Sequence, residues 1–261
     1  MISMTAGYFS YQEKQLMNIY TTLQIGDYHT NHCEDYLLVK KISSNKIVCA
    51  VMDGCSTALD SHFASTLIGK ILRKIIIEAG YKELYEKDIQ RSPDEDLKEI
   101  LENLFREISL IKKSLMLDEK ELLSTLTIML YDTQKNEGVI LVTGDGVICI
   151  NGNITEFDHN NKPDYLAYHL HENFEDWYEK QEQRLFFKDI EDISISTDGI
   201  LTFSKIKKTE SDQKIDFVTY LMVDQLYSET EDMLNKKLKN LEYQFGVKPT
   251  DDLAMIRIKR S

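Results

Sequence analysis

The chain is 261 residues long, 42% of its residues are hydrophobic, and its formal net charge is −13. Because nucleic-acid affinity depends on clustered Lys and Arg side chains, this acidic balance argues against a nucleic-acid partner. No apolar run approaches the ~18 residues of a membrane span, and residues 1–10 lack the basic and apolar regions of a signal peptide. We therefore expect a cytoplasmic protein, without a membrane partner and monomeric.

The length and composition predict one domain. The apolar fraction is sufficient for the core of a single large β-rich sandwich, and no Pro/Gly/Ser-rich linker divides the sequence. We assign residues 1–261 to this single domain.

Three strand-like segments come first along the chain. Residues 19–26 alternate polar and apolar side chains, and residues 36–41 and 47–52 are joined by a short Ser-Ser-Asn turn. Short connections of this kind favour antiparallel pairing. The third segment is apolar almost without interruption, which is typical of a strand buried on both faces, and it ends at Asp53-Gly54.

Two helices are predicted next. Apolar residues recur every four positions over residues 61–79, and Gly80 suits the end of that helix. Ser92-Pro93 followed by two acidic residues is a helix-start signature, and the helix should reach about residue 115. Two adjacent helices of this length would cover one face of a sheet.

The second half alternates strands with two further helical segments. Asn151-Gly152 is the strongest hairpin turn in the sequence. The predicted fold is α+β, a four-layer α/β/β/α sandwich in which two stacked antiparallel sheets are each covered by a pair of helices. The remaining predicted elements are strands at 122–131, 139–143, 147–150, 154–157, 192–197 and 253–258, helices at about 216–227 and 230–244, and an irregular insertion at about 158–184 with a short helix around 175–183.

Acidic residues lie at the ends of several of these strands. A single Asp-Gly after a strand is usually an ordinary turn, but here the arrangement recurs. Like charges ~4 Å apart repel by several kcal/mol at an effective dielectric near 20, so carboxylates that converged at one sheet edge would call for cations. The acidic points are Glu34-Asp35, Asp53-Gly54, Gly144-Asp145-Gly146, Asp198-Gly199 and Asp251-Asp252.

In order and spacing, these segments resemble the successive motifs of the metal-dependent (type 2C) protein serine/threonine phosphatases. The resemblance spans residues 19–259, nearly the whole chain, and it implies the same sandwich fold. The segments that carry it are Cys33-Glu-Asp35, Val51-Met-Asp-Gly54, 123–130, Thr143-Gly-Asp-Gly146, Ser196-Thr-Asp-Gly199 and Thr250-Asp-Asp-Leu-Ala254.

The resemblance implies hydrolysis of phosphoserine and phosphothreonine monoesters on proteins by a water activated between two divalent cations, Mg²⁺ or Mn²⁺. Its implied partners are a phosphorylated protein and a cognate serine/threonine kinase. Asp53 and Asp35 would be the catalytic carboxylates. By the resemblance, Asp53 would bridge both ions and the Gly54 carbonyl would be a further ligand. Asp198 and Asp251 would bind the second ion, and Asp35 with Glu34 would act through coordinated waters. Asp145 resembles the residue that, with Asp198, holds a third, weaker metal in some members.

The sequence departs from the family pattern at two functional positions. Thr30 stands where members usually carry the Arg that grips the substrate phosphate, and Cys55 replaces the His of the Asp-Gly-His-Gly motif. The substrate-binding residue is therefore not identified, and the candidates are His29, His32 and Thr30. These departures leave a second hypothesis open: a catalytically weak phosphatase-like module that binds metal and a phosphorylated partner, or regulates a kinase.

The cysteines allow one further alternative. Cys33 and Cys55 could join His29 and His32 in a zinc or redox site, although their spacing fits no usual ligand pattern. The four cysteines form no CxxC pair, and Cys49 and Cys149 lie inside apolar strands, which favours reduced thiols.

Overall fold

The computed structural model describes residues 17–58, 60–85, 91–158, 163–207 and 215–260. The expectation about residues 1–10 lies outside these ranges. The strands are β1 (Met17–Gln24), β2 (Tyr36–Lys41), β3 (Lys46–Met52), β4 (Leu126–Asp132), β5 (Glu137–Thr143), β6 (Gly146–Ile150), β7 (Asn153–Phe157), β8 (Arg184–Lys188), β9 (Asp192–Ser196), β10 (Phe203–Lys205), β11 (Val247–Pro249) and β12 (Leu253–Arg260). The helices are α1 (Ser61–Tyr85), α2 (Pro93–Leu115), α3 (Phe174–Glu179), α4 (Phe217–Met222) and α5 (Met233–Asn240).

The strands form two five-stranded sheets and a two-stranded ribbon. The first sheet has the order β1-β12-β9-β6-β7, the second has the order β2-β3-β4-β5-β8, and β10 pairs with β11. All of these pairings are antiparallel. The two predicted antiparallel sheets are thus confirmed.

Three layers of apolar contacts hold the sandwich together. Ile47 and Val51 of β3 pack with Ile195 and Ile256 in the core between the sheets. On the outer face of the second sheet, α1 and α2 cover β2 to β5. On the outer face of the first sheet, α4 and α5 pack against β1 and β12. The four-layer α/β/β/α order is therefore the one predicted.

Helix α2 begins where its cap signature placed it. The Ser92 hydroxyl accepts a hydrogen bond from the Glu95 N–H, and the Glu95 side chain accepts one from the Ser92 N–H. Helix α1, in contrast, does not end at Gly80 and continues to Tyr85. A Cβ at position 80 would lie 2.7 Å from the Ile42 carbonyl oxygen, so this glycine serves a close approach between α1 and the β2–β3 turn.

Some predicted boundaries were wrong. Strand β8 begins at the last residue of the segment that was expected to be irregular, and the sequence analysis missed β8, β10 and β11. The helix expected over 216–227 is only the six residues of α4, and the helix expected over 230–244 is α5 followed by a π-helical turn at Leu241–Phe245. No helix in the described ranges is long and apolar enough to cross a membrane.

The early end of α4 has a physical cause in a buried cation on β12. Arg257 is fully buried and makes a bidentate pair with Asp192, with donor–acceptor distances of 2.9 and 2.6 Å. Its guanidinium also donates to the carbonyl oxygens of Leu221, Val223 and Asp224, at 3.0, 3.0 and 2.9 Å. These carbonyls are satisfied without another helical turn.

We expect Arg257→Met to lower the free energy of unfolding by about 3–5 kcal/mol, because it leaves the Asp192 carboxylate without its buried charge partner and the Leu221 carbonyl oxygen without its donor. Urea denaturation measures the change. Lys259→Met, on the same strand but half-buried, is the control and should change stability by less than about 1 kcal/mol. An Arg257→Met protein as stable as the control would show that this network does not stabilise the fold.

Candidate active site

Two of the predicted carboxylates meet at one end of the second sheet. Asp35 directly precedes β2 and Asp53 directly follows β3, and the register of these strands pairs Tyr36 with Met52. The two Asp residues are therefore neighbours across an antiparallel pair. Their carboxyl groups lie close enough for each to influence the ionisation of the other.

The first sheet brings two more carboxylates to the same place. Strand β9 ends just before Thr197-Asp198, and Asp251 shortly precedes the adjacent strand β12. Thr197 joins the sheets, because its hydroxyl donates to Asp35 Oδ2 at 2.7 Å and its N–H donates to the Ala254 carbonyl oxygen at 3.0 Å. We call Asp35, Asp53, Asp198 and Asp251 the acidic cluster.

Glycine is required where the cluster meets helix α1. The Gly54 N–H donates to the Glu34 carbonyl oxygen at 3.2 Å, and the Ser65 hydroxyl of α1 donates to the same oxygen at 2.5 Å. A Cβ at Gly54 would lie 2.0 Å from the Ser61 carbonyl oxygen. The end of β3, the loop before β2 and the start of α1 can approach this closely only with glycine at this position.

Burial and mutual repulsion raise the pKa of every carboxyl in the cluster. Burial and the nearby charges of Asp252 and Asp198 raise the pKa of Asp35 to about 8. Burial and the negative charges of Asp35 and Asp198 raise the pKa of Asp53 well above its usual value. The pKa of Asp198 is raised to about 6 by burial and by the charges of Asp251 and Asp145.

Two further predicted ligands, Asp251 and Asp145, lie close to Asp198. Burial raises the pKa of Asp251, and the charges of Asp252 and Glu34 act in the same direction. Asp145 lies near enough to Asp198 for its charge to raise the pKa of Asp198. The structure thus brings all the sequence-predicted acidic residues into one region.

Asp252 is a buried organiser of the site that the sequence analysis did not assign. Its Oδ1 accepts a hydrogen bond from the Gly26 N–H at 2.7 Å, and its Oδ2 accepts one from the Glu34 N–H at 2.5 Å. His29 Nδ1 lies 2.9 Å from Asp252 Oδ2, and His29 Nε2 lies 3.6 Å from Asp251 Oδ1. The carboxylate therefore anchors the loop between β1 and β2 to the start of β12.

His29 and Thr30, two of the substrate-binding candidates, differ in their surroundings. Burial acts to lower the pKa of His29, but contact with Asp252 and the charges of Asp252, Glu34 and Asp251 outweigh it and raise the pKa. His29 is thus already engaged with the acidic residues. Thr30 is exposed.

The chemistry of the donor set fits a divalent cation. Asp35 Oδ1 and Glu34 Oε2 are buried and have no hydrogen-bond partner. Within the described ranges, no Lys or Arg forms an ion pair with the acidic cluster. Carboxylate and carbonyl oxygens are the ligands that Mg²⁺ and Mn²⁺ prefer. These side chains do not by themselves form a complete coordination site, since no three His, Cys, Asp or Glu residues in the described chain are arranged to hold a metal ion. The residues of the zinc alternative, His29, His32, Cys33 and Cys55, also form no such group of metal ligands.

Cys55 connects the site to the predicted insertion. Its Sγ lies 3.1 Å from the Thr57 hydroxyl oxygen, and the Tyr165 hydroxyl is near enough to act on the pKa of the thiol. Burial acts to raise the pKa of the thiol, but these hydroxyls and the N–H groups of Thr57 and Ala58 lower it overall. All four cysteines are free, as predicted.

The described part of the insertion is packed rather than irregular. Trp177 and Tyr178 of α3 are buried, and the rings of Phe174 and Trp177 lie 5.2 and 4.5 Å from that of Phe105 on α2. The insertion is thus fixed to the helical layer, and its Tyr165 reaches the residue beside Gly54.

Comparison with known families agrees with this geometry. The family model "Protein phosphatase 2C" matches residues 26–241. The chain belongs to the protein phosphatase 2C family. The matched region includes every acidic residue discussed above except Asp251 and Asp252, which lie beyond its end. No match was found among curated protein sequences.

Solved structures share the fold at low sequence identity. The SpoIIE phosphatase domain with a regulatory fragment, from Bacillus subtilis, is 15% identical with a TM-score of 0.55, and the match covers 95% of this chain and 64% of that one. RsbX in complex with magnesium is 13% identical with a TM-score of 0.53, covering 94% and 96%. A bacterial serine phosphatase, solved as a point mutant, is 13% identical with a TM-score of 0.58, covering 95% and 98%. These likenesses show the protein phosphatase 2C fold.

Proposed function

We propose that this chain is a Mg²⁺- or Mn²⁺-dependent phosphoprotein phosphatase that hydrolyses phosphoserine and phosphothreonine monoesters. The observation that carries the proposal is the convergence of four carboxylates from both sheets, whose pKa values are raised by burial and by one another. Family membership supports phosphatase chemistry. A magnesium complex of a protein with this fold supports the choice of cation.

Two such cations, when bound, neutralise the phosphoryl oxygens and lower the pKa of water, which is the chemistry that ester hydrolysis needs. The chain offers hard oxygen donors from both sheets for them. By the family resemblance, the first and second ions would be held by Asp53, the Gly54 carbonyl, Asp198 and Asp251, with Asp35 and Glu34 in the surrounding water shell, and Asp145 with Asp198 would hold a third.

Neighbouring residues orient these donors. The Thr197 hydroxyl occupies Asp35 Oδ2, which leaves the buried Oδ1 of Asp35 available. Asp252 uses both oxygens to hold backbone N–H groups, so it fixes the loop that carries Glu34 rather than serving as a ligand. Before a cation binds, the raised pKa values of the neighbouring Asp35 and Asp53 carboxyl groups favour retention of a proton by the pair.

The substrate class rests on the family. A likeness to a bacterial serine phosphatase supports a phosphorylated protein as substrate, and a serine/threonine kinase as the enzyme that supplies it. Four free cysteines are typical of a reducing compartment, which supports a cytoplasmic location. We propose that the protein acts as a monomer.

The test is hydrolysis of phosphorylated peptides by the purified protein. We expect turnover of phosphoserine and phosphothreonine peptides with millimolar Mn²⁺ or Mg²⁺, and loss of turnover with excess chelator. Phosphotyrosine peptides of the same sequence serve as the specificity control. Turnover that survives chelation would contradict the metal-dependent mechanism.

A second candidate function is a catalytically weak module that binds metal and a phosphorylated partner, or regulates a kinase. Cys55 beside Gly54 and the lack of a described Lys or Arg paired with the acidic cluster favour it. Calorimetry distinguishes the two candidates. Binding of Mn²⁺ without hydrolysis of any phosphopeptide would favour the module and contradict the enzyme.

A further inference from the structure

Two histidines from the chain segments that contact Gly54 stack on each other. The ring centroids of His32 and His62 lie 4.4 Å apart, and the ring planes are inclined by 27°. His32 belongs to the loop before β2, and His62 is the second residue of α1. The sequence analysis named His32 among the substrate-binding candidates and gave His62 no role, since the two residues are 30 positions apart in the sequence.

The position of this histidine pair follows from the backbone contacts of Gly54. Gly54 donates to the Glu34 carbonyl oxygen, and its α-carbon faces the Ser61 carbonyl oxygen. His62 follows Ser61 directly, and His32 precedes Glu34 by two residues. Each histidine is therefore one or two residues along the chain from a carbonyl group that contacts Gly54, which corresponds to about 4–8 Å between α-carbons.

The ring nitrogens of the pair are available. In the described chain, neither imidazole forms a hydrogen bond or an ion pair, whereas His29 contacts Asp252 and His169 contacts Asp164 and Glu172. His32 is exposed and His62 half-buried, so both rings can meet a ligand from solvent. Stacking restricts the rotation of both side chains, which lowers the entropy cost of binding.

We propose that the His32–His62 pair binds the phosphate group of the substrate, an inference that rests on the proposed phosphatase function. A phosphate that approaches four carboxylates needs hydrogen-bond donors, and no described Lys or Arg pairs with that cluster. Each imidazole supplies an N–H donor whether or not it is protonated. Two oxygens of one phosphate can accept from the two rings.

Stacking argues against a shared metal ion on this pair. Imidazole binds a metal at about 2.0–2.1 Å along its in-plane lone pair. An ion between two nearly parallel rings 4.4 Å apart would lie outside the plane of each. A phosphate group is larger and accepts hydrogen bonds at several oxygens, so it suits this geometry.

The experiment separates ring stacking from hydrogen-bond donation. His32→Phe and His62→Phe keep an aromatic ring for the stack and remove the N–H donors, while His62→Gln keeps a donor and removes the ring. We expect each Phe variant to raise the KM for a phosphoserine peptide about 10-fold or more, with kcat changed much less, because a hydrogen bond to a charged group is lost. His62→Gln should retain most of the affinity. His171→Phe, an exposed histidine in the insertion, is the matched control and should leave KM unchanged.

Binding of inorganic phosphate in the presence of Mg²⁺, followed by phosphorus NMR, gives a readout that does not need turnover. The Phe variants should weaken it about 10-fold, while calorimetry gives the same Mn²⁺ affinity as in the wild type. Equal phosphate affinity and equal KM in the wild type and the Phe variants would overturn the assignment of the pair. A Phe variant with wild-type phosphate affinity, together with a loss of affinity in His62→Gln, would also overturn it. Absence of turnover in the wild type would instead overturn the proposed function, and the phosphate measurement would still decide the role of the pair.

Discussion

Asp53→Asn should lower Mn²⁺-stimulated hydrolysis by about 1,000-fold or more, because charge stabilisation by a bound cation is worth several kcal/mol and each 1.4 kcal/mol is a factor of ten in rate. Asn keeps the size of the side chain and removes a negative charge that lies close to Asp35 and Asp198. The measurement is the rate of phosphopeptide hydrolysis at saturating Mn²⁺.

The same substitution should stabilise the metal-free protein. Asp53 is buried beside three other carboxyl groups, so removal of its charge relieves repulsion in the folded state. Asp27→Asn, at an exposed position in the loop after β1, is the control and should leave both the rate and the melting temperature within experimental error. Full activity in Asp53→Asn would show that the acidic cluster is not the catalytic centre.

The free energy of unfolding of the metal-free protein should fall as pH rises from about 4 to about 8. A carboxyl group whose folded pKa is raised keeps its proton in the folded state after the unfolded chain has released it, so stability falls with pH over that interval. The pKa of Asp198, about 6, and that of Asp35, about 8, set the interval. The total change should be several kcal/mol, since one pKa unit corresponds to about 1.4 kcal/mol.

Divalent cations should reverse this loss. They replace the protons of the cluster, so they bind more tightly as pH rises, and at 100 times the dissociation constant each site adds about 2.7 kcal/mol. Thermal melts at pH 5, 6.5 and 8, with chelator and with millimolar Mn²⁺, measure both effects. Asp198→Asn should flatten the pH dependence of the metal-free protein and reduce the shift produced by Mn²⁺.

Two histidines with raised pKa values, His29 and His169, contribute to the same trend, and His169, which lies apart from the acidic residues at Asp251 and Asp252, needs its own control. The hydrogen bond to Asp164 raises the pKa of His169 against the effect of burial, and Glu172 adds to the increase. Its contribution is fully present below pH 6.5 and is lost as pH rises through the raised pKa. His169→Gln removes this contribution. Metal-free stability that stays constant or rises between pH 5 and pH 8 in His169→Gln would contradict the convergence of buried carboxylates.

The strand ends of the acidic site could be predicted because their signals are local. A run of buried apolar residues that ends in Asp-Gly identifies a strand and its terminus within a few residues, and the recurrence of this pattern indicated a shared edge. The capping box of α2 is equally local, since Ser92 and Glu95 are three residues apart. The sequence therefore predicted the sheets, both long helices and the carboxylates of the cluster.

Other features depend on partners distant in the sequence. Gly80 has the local signature of a helix end, but the Ile42 carbonyl beside it makes it a packing position. Helix α4 ends early because Arg257, 36 residues from Leu221, satisfies its carbonyls. Neither fact can be obtained from spacing alone.

The sequence by itself determined which elements form and which of them end in a carboxylate, because hydrophobic periodicity, caps and turns act over a few neighbouring residues. Only the tertiary structure decided how those ends are used. It made Asp252 an anchor for Glu34, 218 residues away, and it stacked His32 on His62 beside Gly54. The physical reason is that hydrogen bonds, burial and charge repulsion depend on distances in space. The packing of the two sheets and the helices that cover them sets those distances.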